Sequence, residues 1–497
     1  MADTQTAPAA GAVAVQDPAL LDQIISQGKM VRSDEQKVYA GAMISEFAVQ
    51  ATSAGMSTEG DLVAAINRRI EQIDQLLSEQ LSLVMHHPDF QKLEASWRGL
   101  NHLVKNSETG TELKLRVLDV SKAELLKDLE NPLEFDQTTL FKKLYEEEYG
   151  TFGGAPYSVL VGDYEFGRSK QDVTIVRKMA EVAAAAHAPF IAAAAPGLFD
   201  MESFTELGTP RDLAKIFDSV EMVEWNDFRR SEDSRYVALV LPHVMMRLPY
   251  GKSTVPVEKF AFEEDVSKGS AEERHGKYLW GNAAWFLAQR MTDAFAKYKW
   301  TAAIRGYEGG GKVEGLPVHV FTAEDGDKVM KCPTEVSITD RREKELDTLG
   351  FISLCHCKGE NYAVFFGGST AQKPVVYNTN QANANARLSA LLPYILAASR
   401  FAHYLKVMVR EKVGSFESRS SLDKYLNQWI ADYVLLNDDA PQSAKAQYPL
   451  REARVDVTEV PGRPGAYRAT VFLRPHFQLE ELTASIRLVA DLPAPAA

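Results

Sequence analysis

The strongest constraint on the fold is an alternation of strand-like and helix-like segments across Tyr157–Ala195. A β-rich run at Tyr157–Val161 precedes a helical run at Asp172–Ala186, and a second apolar run follows it. Strand–helix–strand order is typical of a layer in which helices cover a sheet. Further β-rich runs occur at Leu113–Val120 and Tyr236–Leu241. The middle of the chain is therefore predicted to be an α/β body.

Size and charge narrow the class of protein. The chain has 497 residues, of which 45% are hydrophobic and 25% are charged, enough for two to four folding units. Its formal net charge is -13. Nucleic-acid binding needs a dense basic surface that releases counterions from phosphates, so we expect no nucleic-acid partner.

The cysteines and the termini favour a reducing compartment. Cys332, Cys355 and Cys357 are an odd number in a long chain, which is not the pattern of a disulfide framework. The N-terminus carries Asp3 where a signal peptide has Lys or Arg. The Ala-rich stretch Val182–Phe199 contains a histidine and two prolines, so it is a poor membrane span. We therefore predict a cytoplasmic protein that is not inserted in a membrane.

A short amphipathic helix is predicted behind an Ala-rich tail, Met1–Gln16. Asp17 suits its N-cap, Pro18 its first turn and Gly28 its end. One interpretation is a helix packed on its own domain; the other is a docking peptide for a partner. Its apolar face consists of Leu20, Leu21, Ile24 and Ile25.

Two helical segments follow. In Asp61–Val84 apolar residues recur every three or four positions, which predicts a long amphipathic helix. Phe90–Val104 contains a second such pattern. The pair packs either on itself or as a coil against another chain.

A strongly helical block begins after Asn380. Its first helix, Ala384–Val413, is expected to kink at Pro393; a second helix, Ser421–Leu435, and a polar linker, Asn437–Gln447, follow. The first helix also carries a basic stripe, which is either a solvated face or a docking strip for an acidic surface. The stripe consists of Arg400, His403, Lys406 and Arg410.

The chain ends in three strand-like segments, Leu450–Val460, Ala466–Pro475 and Thr483–Val489. A sheet this small leaves open edges, and open edges recruit strands from neighbouring chains. Candidate residues for such inter-subunit pairing are Ala466, Arg468, Thr470, Phe472, Thr483, Ser485, Arg487 and Val489.

Several motifs resemble catalytic or ligand sites but lack essential parts. Gly306, Gly311 and Lys312 fit G-x-x-x-x-G-K, yet Val313 replaces the Ser or Thr, and a strand-like run follows instead of a helix. Gly251-Lys252-Ser253 lacks the first glycine of that motif.

Metal and acid–base sites have no better support. A strand would place the two thiols of Cys355-His356-Cys357 opposite the imidazole, and the carboxylates of Asp163 and Glu165 are a common chance pair. We expect no catalytic residues, no metal and no cofactor.

Longer segments resemble the large sheath subunit of bacterial type VI secretion systems. The resemblance extends from about Leu20 to about Leu492. It is carried by VGDYEFGR, PFIAAAAPGLF, MRLPYG, KFAFEE, YLWGNAAW, RGYEGGGKVEGLPVHVF, CPTEVSITDRREKELDTLGFISLCHCKG, ANARLSALLPYILAASRFAHYLKVMVREKVGSF and VFLRPHFQLEEL.

The resemblance implies a cytoplasmic structural protein that works by assembly. It implies pairing with a small sheath subunit, polymerisation of these heterodimers around a tube of hexameric rings, attachment to a baseplate and contraction that expels tube and spike. An AAA+ ATPase would recycle the contracted sheath by docking on Leu20, Leu21, Ile24 and Ile25. If the tube has an acidic surface, the basic stripe on Ala384–Val413 is a candidate for facing it. The family is related to contractile phage tail sheaths, whose subunits are linked by exchanged strands.

The predicted fold is thus a mixed α/β one: an N-terminal helical arm, a central α/β body, and C-terminal helices with a small sheet completed by neighbours. Two alternatives remain: a nucleotide-using enzyme, on the Gly306–Lys312 motif, and a soluble adaptor for an AAA+ ATPase. The predicted divisions are 1–60 (tail and docking helix), 61–110 (partner-binding coil), 111–380 (body), 381–436 (helices), 437–449 (linker) and 450–497 (linking strands).

Overall fold

The structure is a computed structural model. It describes residues 25, 27, 31, 33–53, 59–132, 134–209, 212–258, 260–322, 326–412, 415, 418–461 and 467–476. The chain divides into two compact units. The first comprises Met1–Met85 and Pro249–Ser267, and the second comprises His86–Leu248 and Lys268–Ala497.

The regular elements have the following bounds. The helices are α1 (Asp34–Ser53), α2 (Glu59–Met85), α3 (Pro88–Lys105), α4 (Lys122–Glu130), α5 (Thr139–Phe141, continued by a π-helix, Lys142–Tyr149), α6 (Lys170–Ala186), α7 (Leu213–Phe217), α8 (Val223–Arg230), α9 (Ala271–Gly276), α10 (Ala284–Tyr298), α11 (Asp340–Thr348), α12 (Asn380–Ser389), α13 (Leu392–Glu411), α14 (Arg419–Ala431) and α15 (Gln442–Gln447). The strands are β1 (Leu160–Phe166), β2 (Phe190–Ala194), β3 (Val237–Leu241), β4 (Val244–Met245), β5 (Trp280–Gly281), β6 (Lys312–Val313), β7 (Val320–Thr322), β8 (Lys328–Met330), β9 (Phe351–His356), β10 (Ala363–Phe365), β11 (Leu450–Glu459) and β12 (Tyr467–Pro475).

The main sheet lies in the second unit and has six strands in the order β1-β2-β3-β9-β10-β6. The first four are parallel, with Phe190 opposite Val237 and Leu239 opposite Phe351, and β10 and β6 extend the sheet antiparallel. Every residue of β2 and β3 is buried, as expected for parallel strands covered on both faces. The predicted α/β body is confirmed.

Helices cover both faces of this sheet because its side chains alternate between them. Phe190 and Leu239 point into a core that includes residues of α6, α8 and α11. Ile191 and Val240 point to the opposite core, which includes residues of α10 and α13.

The elements of the body follow the sequence pattern with one exception. Asp172–Ala186 lies within α6, whose first turn is capped by the Ser169 hydroxyl, which accepts from the Asp172 amide at 3.1 Å. Leu113–Val120, predicted as a β-rich run, is not a strand. Its alternating pattern has no partner strand in the described part of the chain. Its Arg116 instead binds Glu148 and the hydroxyl of Tyr157.

The C-terminal helices differ from the prediction in two places. The expected kink at Pro393 is a break, since Leu391 is extended and caps the separate helix α13. The predicted linker contains helix α15, whose Ala446 is buried in the core that covers the sheet. This second half of the segment is therefore packed and supplies little slack.

Candidate assembly interface

The C-terminal hairpin is a two-stranded sheet built from β11 and β12. The strands are antiparallel, with Val455 opposite Val471 and Val457 opposite Ala469. These are the first two C-terminal strands that the sequence predicts. The third, Thr483–Val489, lies outside the described residues.

Helix α14 closes the outer edge of β11 with side chains that imitate a neighbouring strand. The Asn427 amide donates to the carbonyl of Val455 at 2.7 Å and accepts from its N–H at 2.9 Å. The carboxylate of Asp423 accepts from the N–H of Val457 at 3.1 Å. Arg419 donates to the carbonyl of Val457 at 2.8 Å. The backbone N–H and carbonyl groups of Val455 and Val457 at this edge are therefore satisfied inside the chain.

The backbone groups at the outer edge of β12 point away from β11. Because Val455 and Val457 direct their backbone groups to α14, the antiparallel pattern directs those of Val471 and Ala469 away from β11. Ala469 is exposed. This row of outward amides and carbonyls is a template for one more strand.

The two faces of the hairpin also differ. Val455 and Val457 are buried in a core shared with Phe401 of α13, whose ring stacks on Trp300 at 4.4 Å between centroids. On the opposite face Phe472 is 51% exposed. Of the predicted inter-subunit residues, Arg468, Thr470 and Phe472 lie in β12, whereas Ala466, Thr483, Ser485, Arg487 and Val489 lie outside the described residues.

The basic stripe on α13 is largely turned inward, contrary to a tube-facing role for all four residues. His403 is 1% exposed, and its Nε2–H donates to the carbonyl of Ala186 at 2.8 Å. Lys406 donates to the hydroxyl of Tyr145 at 3.1 Å, and Arg410 donates to backbone carbonyls. Helical spacing placed these residues on one face, but tertiary packing covers that face. Arg400 lies on its own helix, over the ring of Tyr404.

Most of the predicted docking helix lies outside the residues that the structure describes. Leu20, Leu21 and Ile24 are outside the described residues, whereas Ile25 is helical and 1% exposed. A docking face on this helix stays a prediction, and Ile25 is buried within this chain.

Helix α2 of the first unit leaves its apolar stripe exposed. The predicted helix is confirmed, yet Ile70 is 49% exposed and Leu77 50%, while the polar Ser78 is buried. Exposed apolar residues in a row at helical spacing are typical of a surface that another helix covers.

The glycine-rich segment is a turn that leads into strand β6. The N–H of Gly306 donates to the carbonyl of Phe365 at 2.7 Å, and the N–H of Gly311 donates to that of Gly306 at 2.9 Å. Lys312 binds Glu314 at 2.6 Å. The segment has neither free amides at these glycines nor the following helix that a phosphate requires.

The other motifs are likewise used in packing. In the turn at Gly251, the amide of Lys252 donates to Glu263 at 3.1 Å. Cys355 is buried, which raises the pKa of its thiol to about 12. Asp163 accepts from the indole N–H of Trp285 at 3.1 Å. In the described ranges no group of three or more His, Cys, Asp or Glu residues is arranged to hold a metal ion.

The structure contains an ion network that sequence reasoning missed. His243, which follows β3, donates to Glu165 of β1 at 3.1 Å and to Glu335. Burial opposes the charge on His243, but the two carboxylates outweigh it and raise its pKa to about 10. Glu335 also accepts from Ser203 at 2.8 Å. The network joins the carboxyl ends of strands from distant parts of the sequence, and no short motif encodes it.

Two family models together match most of the chain. The tail sheath N-terminal domain of VipB (EvpB/VC_A0108) matches residues 67–372, and the tail sheath gpW/gp25-like domain matches residues 381–492. The chain is 48% identical over 472 residues to the type VI secretion system sheath protein TssC1 of Pseudomonas aeruginosa, covering 94% of this chain and 93% of that protein. The chain belongs to the family of type VI secretion tail sheath proteins. As a member of this sheath family it is a structural subunit of the contractile sheath.

Two solved structures align with parts of the chain at low sequence identity. The baseplate structure of the anti-feeding prophage aligns with TM-score 0.40 and 12% identity, covering 76% of this chain and 83% of that one. The contracted sheath complex of the extracellular contractile injection system PVC aligns with TM-score 0.35 and 8% identity, covering 63% and 68%. Within the described ranges of the sheath protein, no helix is long and apolar enough to cross a membrane.

Proposed function

We propose that the chain is the large subunit of a two-component sheath and that its lattice is held together by strand addition at β12. The observation that supports this is the asymmetry of the hairpin: side chains of α14 bind the edge of β11, and no strand among the described residues pairs with the outer edge of β12. The assembled sheath surrounds a tube of hexameric rings, joins a baseplate and contracts in the cytoplasm.

The Ala469→Pro variant tests this proposal. Proline removes the N–H that points outward from β12 and leaves the bonds between β11 and β12 in place. We expect soluble protein with an intact hairpin and no sheaths by negative-stain microscopy after co-expression with the small subunit. Ala469→Gly, which keeps the N–H, is the matched control. Normal sheaths with proline at this position would contradict strand addition here.

The small subunit is proposed to cover the exposed stripe of α2. Ile70→Asp with Leu77→Asp should abolish its co-purification, because two charges would be buried in an apolar seam. Gln80→Asp adds a charge at another exposed position of the same helix and should not. Equal co-purification of all three proteins would move this interface elsewhere.

We further propose that the N-terminal helix docks an AAA+ ATPase that recycles the sheath, through Leu20, Leu21 and Ile24. Leu21→Asp should leave sheath assembly intact and reduce ATPase capture in pull-downs. Unchanged capture would remove this role.

Work by assembly without catalysis is part of the proposal. It is supported by the family and by the glycine-rich turn, whose amides at Gly306 and Gly311 are bound by backbone carbonyls. Nucleotide hydrolysis by the purified chain would overturn it.

A further inference from the structure

Lys406 lies between two tyrosine rings of the body. Its Nζ is 3.5 Å from the ring centroid of Tyr149 and 4.5 Å from that of Tyr145, and it donates to the Tyr145 hydroxyl at 3.1 Å. The face of an aromatic ring attracts a cation, and the attraction is stronger when the ammonium is partly desolvated. Lys406 is therefore an anchoring contact of α13.

The residues one turn away on either side bind the ends of two body helices. Arg410 donates to the carbonyls of Tyr149 and Thr151, both at 2.7 Å, where the π-helix ends. His403 donates to the carbonyl of Ala186 in the last turn of α6. Carbonyls at a helix C-terminus lack intrahelical partners, so these donors satisfy groups that otherwise stay unpaired.

The tyrosines are presented by an unusual element. Lys142–Tyr149 is a π-helix. This form is rare in proteins, and where it occurs it is often found at a functional site. The rings of Tyr145 and Tyr149 contact each other at 5.3 Å between centroids, edge to face. The π-helix thus offers two aromatic rings to one cation.

Helix α13 connects this contact with the hairpin. The body side, Tyr145–Thr151 and Ala186, belongs to the matched N-terminal domain, whereas α13 belongs to the gpW/gp25-like domain. On its other side α13 contributes Phe401 and Leu405 to the core beneath β11. The orientation of the hairpin on the body therefore depends on how α13 is held.

We propose that His403, Lys406 and Arg410 form a latch that fixes the gpW/gp25-like domain on the body and so sets the position at which a neighbour's strand reaches β12. The proposal rests on the proposed role of the hairpin. It gives the basic stripe an internal function, that of positioning residues for assembly. When the latch is broken, the hairpin stays folded and the start of α13 stays packed on the sheet, but the C-terminal half of α13, which lies beneath β11, loses its fixed position on the body.

Hydrogen exchange of the full-length chain tests the latch directly. In Lys406→Met with Arg410→Met, amides of Lys142–Thr151 should exchange about tenfold faster, while those of β11 and β12 keep their protection. Arg400→Met removes a charge on the same helix whose hydrogen bond and cation–π contact are to Tyr404 of that helix, and it is the matched control. Lys406→Arg keeps a cation over the rings and should behave as wild type. If the double variant does not fold, Lys406→Gln alone gives the same comparison.

Sheath formation is the second readout. We expect few or no sheaths from the double variant under conditions in which Arg400→Met forms them. Unchanged exchange in Lys142–Thr151, or normal sheaths despite faster exchange, would overturn the latch. Absence of sheaths in the wild type would instead overturn the proposed function, and the exchange difference from Arg400→Met would still decide whether the latch exists.

Discussion

The six-stranded sheet and the C-terminal hairpin differ in how far their faces and edges are covered by other described residues of the chain. In the sheet, β2 and β3 are buried throughout, and helices from the same unit cover both faces. In the hairpin, one face is buried and one edge is bound by α14, while no strand among the described residues pairs with the outer edge of β12. The described residues cover both faces of the sheet, whereas they leave one face of the hairpin and the outer edge of β12 uncovered.

This difference separates folding from assembly within one molecule. Changes in the sheet should act on the free energy of unfolding, because its side chains exchange water for a packed core. Changes at the outer edge of β12 should act on the lattice and leave the isolated chain stable. The following predictions test that separation.

The largest effect is expected from a charge in the sheet. Val240→Asp places an unpaired carboxylate among apolar side chains and should lower the free energy of unfolding by about 4 kcal/mol or more. Phe472→Asp, on the exposed face of the hairpin, should change it by no more than about 0.5 kcal/mol. Urea unfolding measures both. An equal decrease in the free energy of unfolding in both variants would contradict the proposed difference between the two sheets.

Acid should weaken the junction between α13 and the body. Burial first, and then the positive charges of α13, lower the pKa of His403 from 6.5 to about 4, and burial also lowers that of His187. The groups around His403 are His187 and Tyr149 from the body and Arg400 and Lys406 from α13. The unfolded chain binds protons more readily than the folded one between these values, so stability falls as the pH falls from 6.5 to 4.

The expected loss at His403 is about 3 kcal/mol over that interval. Urea unfolding at a series of pH values measures it. His403→Gln keeps a donor for the carbonyl of Ala186 and should flatten the profile. An unchanged slope in this variant would assign the acid sensitivity to other groups.

Opening the closed edge of the hairpin should have an intermediate effect. Asn427→Ala leaves the N–H and carbonyl of Val455 without their side-chain partner and should cost about 2 kcal/mol. It also exposes a second strand edge, so light scattering should show more association than in wild type. Gln428→Ala, exposed on the same helix, is the control. If Asn427→Ala matches this control, α14 does not close the edge.

The smallest effect is expected at the glycine-rich turn beside edge strand β6. Lys312 lies over the rings of Tyr307 and Tyr362 in a turn, so Lys312→Ala should lower the midpoint of urea unfolding less than Asn427→Ala does. Sheath assembly should be normal, and neither protein should hydrolyse ATP. Hydrolysis that Lys312→Ala abolishes would restore the nucleotide-site interpretation.

The spacing of apolar residues along the chain predicted several helices and strands correctly. The buried strand Tyr236–Leu241, the helix Asp172–Ala186 and the long helix Asp61–Val84 appear nearly as expected because burial period and capping residues are local signals. The prediction of a strand at Leu113–Val120 was wrong. Alternation of side chains indicates an extended segment, but it does not supply a partner strand. The domain divisions stay predictions.

The sequence by itself determined the α/β layer, the amphipathic stripe of α2 and the first two strands of the C-terminal sheet, since each depends on the spacing of side chains along one segment. Only the tertiary structure decided which edge of the hairpin α14 binds and that His403, Lys406 and Arg410 bind the body. Asn427 and Val455, like Lys406 and Tyr149, are far apart in the chain. Their contacts depend on how separate elements pack, and no periodicity within one element records that packing.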